Sequence, residues 1–295
     1  MLTYVVITPA RNEASFIEGT ILAVTRQTVL PTKWIIVSDG STDGTDDIVR
    51  SYVPRYPWIE LLRRPERVER NFSGKVKAFD AGYASLQGMD YDILVSLDAD
   101  ITFDEEYFSF LLSKFANDPN LGVAGTPFRE GGRQYDYRFA SLDHVSGACQ
   151  VFRRECFEDI GGYIPIKGGG IDWVAVTTAR MKGWKTRTFP EKASLHHRTM
   201  GTGSSNRLKA LFRFGKQDYY LGSHPVWQFL RSLFHFKDSP LVLGGLLLLA
   251  GYVWGSLTRS PRPITGELVR FRRREQMERL NDIARRLVGL KSLKR

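Results

Sequence analysis

"DILVSLDADITFDEEYF", residues 92–108, decides how this chain is read. Ile93 to Leu97 is an apolar run that reads as a buried strand, and it ends in Asp98-Ala99-Asp100. On an extended segment Asp98 and Asp100 point the same way and Ala99 points back. Two carboxylates that close repel unless a cation or hydrogen-bond donors lie between them. Mg²⁺ or Mn²⁺, a hard ion held by one or two carboxylates plus substrate phosphates, is the natural partner. Taken alone, D-x-D reads equally as a surface turn that caps the helical pattern starting at 105.

Working outward, the same grammar repeats. "YVVIT" (4–8), "WIIVS" (34–38), "IELLR" (59–63) and "GVAGT" (122–126) are further short apolar runs, and helical patterns fill 15–28, 44–53, 75–87 and 105–117. Short buried strands alternating with helices predict an α/β fold, a mainly parallel sheet flanked by helices. Ligands of such sheets bind at the carboxyl ends of the strands. Three strand ends carry polar groups: "TPARNE" (8–13), "VSDGSTDGT" (37–45) and "LDAD" (97–100). Their loops are expected to converge on one crevice. Ser41, Thr42 and Asp43 also suit the cap of the helix beginning near 44.

Beyond Asp143 the pattern predicts a strand and short helix ending at Gly161-Gly162. A glycine loop follows (168–170), then a helix from about Asp172 to Lys182 and a further strand over "KTRTFPEKASLHH". The start of the chain reads as a first strand rather than a secretory leader. With only Cys149 and Cys156, which fit no metal spacing, a reduced cytosolic setting is expected.

The net charge of +10 is unevenly placed. Residues 1–196 hold 23 Lys+Arg against 26 Asp+Glu, a net of −3, and residues 197–295 hold 19 against 6, a net of +13. The basic third is interleaved with the most apolar segment, which favours a membrane surface and argues against nucleic acid. "PVWQFLRSLFHF" (225–236) is amphipathic, and "SPLVLGGLLLLAGYVWGSL" (239–257) is uncharged over 19 residues but broken by glycines. The second segment reads as re-entrant or interfacial, as part of a hairpin with 225–236, or as a buried core helix.

As a set, "TPARNEASFI", "VSDGSTDGT", "GKVKAFDAG" (74–82), "LDAD" and "GGGIDW" (168–173) resemble the successive motifs of inverting family 2 glycosyltransferases, which have the nucleotide-diphosphosugar (GT-A) fold. The resemblance covers about residues 1–215. The run from "HHRTMGTGSSN" through "RFGKQDYYLGSHPVW" to "RFRRREQM" is similar to bacterial enzymes of surface and exopolysaccharide assembly.

The resemblance implies a role for each matching residue. Ala10, Arg11 and Glu13 would hold base and ribose, and Asp39 would accept from a ring N–H of the base, which suits uracil. Lys75 would lie along the nucleotide, Asp98 would bind ribose or water at the metal, and Asp100 would coordinate the metal. Asp172 matches the general base, and His196 or His197 the histidine that completes the metal site in some members. Arg213 would help neutralise the diphosphate. Trp173 reads as an acceptor-stacking ring or as a core aromatic, and the lone His144 is assigned no role.

There are departures from the family pattern. Ile171 replaces the first acid of the "ED" motif, Asp80 replaces an Asn, and "LFRFGKQ" keeps Arg213 but lacks the Trp of Q-x-x-R-W. The last argues for transfer of one sugar at a time rather than polymerisation.

The expected organisation is a catalytic domain over 1–222, with a nucleotide-sugar half to about 127 and an acceptor half over 128–222, followed by a membrane-associated region over 223–295. The expected activity is metal-dependent transfer from a nucleotide-diphosphate sugar, a UDP-sugar for preference, to a lipid-linked saccharide at the cytoplasmic face of the cell membrane. The competing localisation is free in the cytoplasm. Rival functions are a catalytically silent nucleotide-sugar-binding scaffold and a sugar-nucleotide pyrophosphorylase. The second needs a G-G-x-G-x-R-L loop, where this chain has "TPARNEAS".

Overall fold

The computed structural model describes residues 2–66, 72–130, 133–134, 141–198, 207–237 and 241–287. The chain divides into two compact units, Met1–Thr199 and Met200–Arg295. Residues 199–206 and 288–295, part of the motif and basic tail quoted above, lie outside the described residues.

In the first unit the apolar runs form strands and the intervening patterns form helices. The order is β1 (Tyr4–Ala10), α1 (Ile17–Thr25), β2 (Lys33–Asp39), α2 (Thr45–Tyr52), β3 (Ile59–Arg64), α3 (Phe72–Ala84) and β4 (Ile93–Leu97). Then come β5 (Ile101–Thr102), α4 (Tyr107–Asn117), β6 (Leu121–Gly125), β7 (Phe128–Glu130), β8 (Arg133–Gln134) and β9 (Cys149–Arg153). The unit closes with α5 (Arg154–Asp159), α6 (Ile171–Met181), β10 (Lys185–Thr188) and β11 (Ser194–His196).

Seven strands make one sheet in the order β10-β6-β9-β4-β1-β2-β3. β9 runs antiparallel to β4 and β6, and the other pairings are parallel. Side chains alternate across it. Tyr4 and Val6 join Ile21, Val49 and Phe108 of α1, α2 and α4 in one core. Val5 and Ile7 join Phe79, Phe157 and Val176 of α3, α5 and α6 in the other. Burial on both faces is why these strands read as continuous apolar runs.

The chain lays β1, β2 and β3 outward, then returns to place β4 on the other side of β1. The sheet therefore has its topological switch point between β1 and β4, where a crevice opens at the strand ends. The loops leaving those two strands are "RNE" and "DAD". A second sheet, β5-β11-β7-β8, lays Ile101 opposite His196. The single strand expected over "KTRTFPEKASLHH" is two strands in two sheets. Pro190 lies between them, and proline has no N–H to give to a ladder.

The second unit contains α7 (Arg207–Tyr220), α8 (Pro225–Phe234), α9 (Leu243–Leu257) and α10 (Gly266–Leu287). The expected boundary near 222 falls inside it, because α7 packs on α9. A Cβ at Gly215 would lie 1.9 Å from Leu248 O, and one at Gly251 would lie 2.0 Å from Phe212 O. The glycines of the apolar run thus let two helix backbones touch. With 15 residues, α9 is about 22 Å long at 1.5 Å per residue, against a hydrocarbon core of roughly 30 Å. Among the described residues, no helix is long and apolar enough to cross a membrane.

Both middle helices are inverted in polarity. On α8, Val226, Phe229, Leu230 and Leu233 are exposed while Gln228 and Ser232 are buried. On α9, Leu243, Leu246, Val253, Trp254 and Leu257 form an exposed stripe opposite the buried glycines. A helix facing water carries the reverse pattern.

Candidate active site

The loops after β1 and β2 are laced together. Asn12 adopts φ 56°, a left-handed conformation that Asn tolerates through its short polar side chain. Its N–H donates to Ser41 Oγ at 3.1 Å, and its Oδ1 accepts from Thr42 N at 2.9 Å. Glu13 N donates to Thr45 Oγ1 at 2.8 Å and Ala14 N to Asp43 Oδ2 at 3.0 Å. Asp43 also accepts from Thr45 N at the start of α2, but the residue at the N-cap is Gly44, with no side chain capping the helix, so Ser41 and Thr42 serve the loop junction rather than the expected cap. Asp39 ends β2 with its carboxylate buried, and Oδ1 accepts from Arg64 Nη1 at 2.9 Å. Ala10 is buried at the end of β1, and Arg11 is partly exposed beyond it.

Asp98 forms an ion pair with Lys75 of α3. Burial alone would pull the Lys75 ammonium down. Asp98, with Asp172 and Asp100 acting from farther off, holds it above the usual lysine range instead. Asp100 is 7% exposed, and its Oδ2 lies 3.5 Å from His196 Nε2 and 3.8 Å from Arg198 Nε. Arg198 pairs with Glu13 as well, so one guanidinium joins the first loop to the D-x-D segment. Behind His196, Glu130 Oε2 stands 3.6 Å from Nδ1.

His197 is turned elsewhere. Its N–H donates to Asp100 O at 3.0 Å, and its exposed ring bonds Thr102 Oγ1 through Nε2 at 2.7 Å. Neighbours on an extended segment face opposite ways, and it is His196 that faces Asp100.

These donors fit a divalent cation. A carboxylate oxygen and an imidazole nitrogen stand close together, and the buried Nδ1 of His196 makes no hydrogen bond among the described residues. A carboxylate opposite the far ring nitrogen is the usual backing of a metal-binding histidine. Among the described residues no three His, Cys, Asp or Glu side chains converge on one ion position. One carboxylate and one imidazole leave the remaining positions to substrate oxygens, as where a divalent cation is bound together with phosphates.

Asp172 sits on the first turn of α6, where its carboxylate Oδ2 accepts from Gly147 N at 3.2 Å. A Cβ at Gly147 would meet Asp172 Cβ at 2.9 Å and Oδ2 at 3.0 Å, closer than side chains approach. Gly147→Ala is therefore expected to shift Asp172 and its carboxylate at a cost of about 1–3 kcal/mol of stability, and to lower kcat by roughly 10-fold or more for a displacement approaching 1 Å. Steady-state kinetics beside a melting curve check this.

Trp173 is half-buried on the same turn. His144, assigned no role, feels the Asp172 charge. Burial lowers its imidazole, and Asp172 opposes that shift. Arg213 lies exposed on α7 of the second unit. Sequence reasoning missed Glu130, Arg198 and Gly147. Each is brought to the site by a partner far along the chain: His196, Glu13 and Asp172 respectively.

Comparison with known proteins agrees with this arrangement. The sequence profile of Glycosyl transferase family 2 matches residues 5–161, just over half of the chain. The chain is 27% identical over 240 residues to the glycosyltransferase AglE of Haloferax volcanii, covering 75% of this chain and 73% of that protein. It is 25% identical over 170 residues to poly-beta-1,6-N-acetyl-D-glucosamine synthase of Staphylococcus aureus, covering 51% of this chain and 39% of the synthase.

Among solved structures, the mannosyltransferase PcManGT of Pyrobaculum calidifontis, in complex with GDP-Man and Mn²⁺, superposes with a TM-score of 0.57 at 22% identity, over 88% of this chain and 73% of that one. S. aureus TarS 1–349 with UDP-GlcNAc gives 0.57 at 14% identity, over 87% and 73%. At these identities the structures speak for the fold alone. Motifs, fold and profile converge: the chain belongs to glycosyl transferase family 2, and it is a glycosyltransferase with the GT-A fold.

Proposed function

We propose that this enzyme moves one sugar from a nucleotide-diphosphate sugar to a hydroxyl of a lipid-linked saccharide, with inversion at the anomeric carbon. The observation that carries the reading is the grouping of Asp100, His196 and the Asp98–Lys75 pair at the switch point, within electrostatic reach of Asp172. Asp39 serves the base, and its carboxylate at the end of β2 accepts from the N3–H of uracil. Arg11, Glu13 and Ala10 border the nucleotide, and Lys75 runs along it.

Asp172 takes the proton of the acceptor hydroxyl. The oxygen attacks the anomeric carbon from the face opposite the leaving group, and the carbon–oxygen bond to the diphosphate breaks. Asp100 and His196 would hold a divalent cation, which when bound would supply charge neutralisation at the departing diphosphate. Lys75 adds a fixed positive charge that needs no reorganisation as the bond breaks. Trp173 offers an acceptor sugar a ring to stack on. The incomplete Q-x-x-R-W motif supports a single transfer. With purified polyprenyl-diphosphate saccharide as acceptor, product NMR should show one added residue of inverted configuration. A retained configuration or a growing polymer contradicts the reading.

Residues 223–295 dock the enzyme on the cytoplasmic face of a membrane. The exposed apolar faces of α8 and α9 and the +13 excess beyond residue 196 support this. α9 is too short to span, so docking is interfacial. Burying a Phe or Trp side chain in an apolar phase is worth about 1.5–3 kcal/mol, and each 1.4 kcal/mol is tenfold in partitioning. Phe229→Glu with Trp254→Glu, both exposed, is expected to weaken binding to anionic phospholipid vesicles by about 100-fold or more. Co-sedimentation reads the effect, and unchanged binding removes these faces from the anchor.

A further inference from the structure

Gln150 is a polar residue inside an apolar strand. β9 reads Cys-Gln-Val-Phe-Arg, its first four residues are buried, and Gln150 is 0% exposed. A primary amide in such a place is costly unless its polar atoms are satisfied. Here both N–H directions and the oxygen are used. Nε2 donates to Val145 O at 3.0 Å and to the main-chain oxygen of Asp172 at 3.4 Å. Oε1 accepts from the Tyr163 hydroxyl at 2.7 Å.

The backbone around the same residue is bonded to the other half of the site. β9 pairs antiparallel with β4, Ser96 opposite Gln150 and Leu97 opposite Cys149. The ladder continues one step further, with Asp98 N donating to Ala148 O at 2.9 Å. The strand that carries Gln150 is thus fastened to the residues leading into Asp98-Ala99-Asp100. Its side chain is fastened to the first turn of α6. Gly147, three residues earlier, holds the Asp172 carboxylate itself. Burial pushes the Tyr163 hydroxyl well above its usual range, and the Asp172 and Asp98 charges add to this. It therefore remains a donor at any working pH and fixes which way the amide points.

We infer that Gln150 is a positioning residue: its amide locks the first turn of α6 to the end of β4 and so sets the distance between the Asp172 carboxylate and the donor-side carboxylates. The inference rests on Asp172 acting as the base. It explains why a glutamine occupies a strand interior where an apolar residue would pack at lower cost, since an apolar side chain would leave α6 free to shift. The two catalytic halves belong to segments far apart in the chain, and the Gln150 amide adds a side-chain tie to the main-chain contacts of Gly147 and Ala148.

Gln150→Leu keeps the volume and removes both donors and the acceptor. Displacement of a reacting group by about 1 Å can cost about 10²-fold in rate. The expected result is a transfer kcat about 10- to 100-fold lower, with donor KM and the calorimetric Kd for nucleoside diphosphate within about twofold of wild type. Tyr163→Phe removes only the hydroxyl that orients the amide, and it should show a smaller loss with the same split. It also decides the matter if Gln150→Leu does not fold.

A merely structural role predicts otherwise: kcat and donor affinity would fall together, in step with the melting temperature. That outcome, or a wild-type kcat in Tyr163→Phe and in any folded Gln150→Leu, overturns the inference. Asp172→Asn measured alongside separates the two claims. If it turns over like wild type, the base assignment has failed. If it is inactive while the Gln150 and Tyr163 variants are normal, only the positioning role has failed.

Discussion

Asp172→Asn is expected to lower kcat by about 10³-fold, within the 10²–10⁴ that a positioned general base typically contributes, while donor affinity stays within about twofold. Asparagine has nearly the same shape, and its amide oxygen can accept from Gly147 N as Asp172 Oδ2 does at 3.2 Å. The fold of the first turn of α6 is therefore preserved, and only the ability to take a proton is lost. In the proposed reading donor binding draws on Asp39, Lys75, Asp98 and Asp100, whereas the Asp172 carboxylate is held by Gly147 N. Removing one negative charge from the reach of Lys75 should, if anything, tighten diphosphate binding slightly. Steady-state kinetics with calorimetry of nucleoside diphosphate measure both quantities. A rate within tenfold of wild type would take Asp172 out of the reaction.

Asp100→Ala should be as damaging for a different reason. It removes the carboxylate beside His196, and with it, in the proposed reading, a ligand of the cation that would neutralise charge on the departing diphosphate. That effect is worth several kcal/mol in metal-assisted transfers, or about 10²–10⁴ in rate at 1.36 kcal/mol per tenfold. Mn²⁺ binding in the presence of nucleoside diphosphate, read by electron paramagnetic resonance, should weaken in parallel. The change is not expected to unfold the site, since Arg198 keeps Glu13 and His196 keeps Glu130. His197→Ala is the matched comparison. Its ring bonds Thr102, so it should retain near-wild-type Mn²⁺ binding. An Asp100→Ala protein that still binds Mn²⁺, or a His197→Ala protein that does not, would place the ion elsewhere.

Much of this was readable along the chain, and the reason is geometric. Strand, polar loop and helix are contiguous, so "TPARNE", "VSDGSTDGT" and "LDAD" announce themselves as strand ends at one edge of a sheet. What stayed hidden depends on residues brought together from far apart. Arg198 meets Glu13 across 185 positions, and nothing near either residue predicts it. Choosing His196 over His197 required the pairing of β11 with β5, since alternation says that the two differ but not which one faces inward. Glu130 is an ordinary surface-like glutamate until β7 pairs with β11. Gln150 gives no signal along the chain, because its role depends on Tyr163 and Asp172 from other segments. The glycines of 239–257 were read as interruptions of a membrane segment. In the structure Gly251 and Gly255 pack on α7 and Gly245 on the end of α8 and Phe236, and it is the outward stripe of leucines and Trp254 that the proposed docking uses.

The most direct test is release of nucleoside diphosphate from UDP-glucose, UDP-galactose, UDP-N-acetylglucosamine, GDP-mannose and dTDP-rhamnose. It would use the full chain with a lipid-linked saccharide extract, with Mn²⁺ or Mg²⁺ and again after chelation. The account predicts release from one donor, a UDP-sugar, that stops on chelation and returns when the ion is restored. Release that is indifferent to chelation, or no release from any donor with acceptor and metal both present, would contradict it.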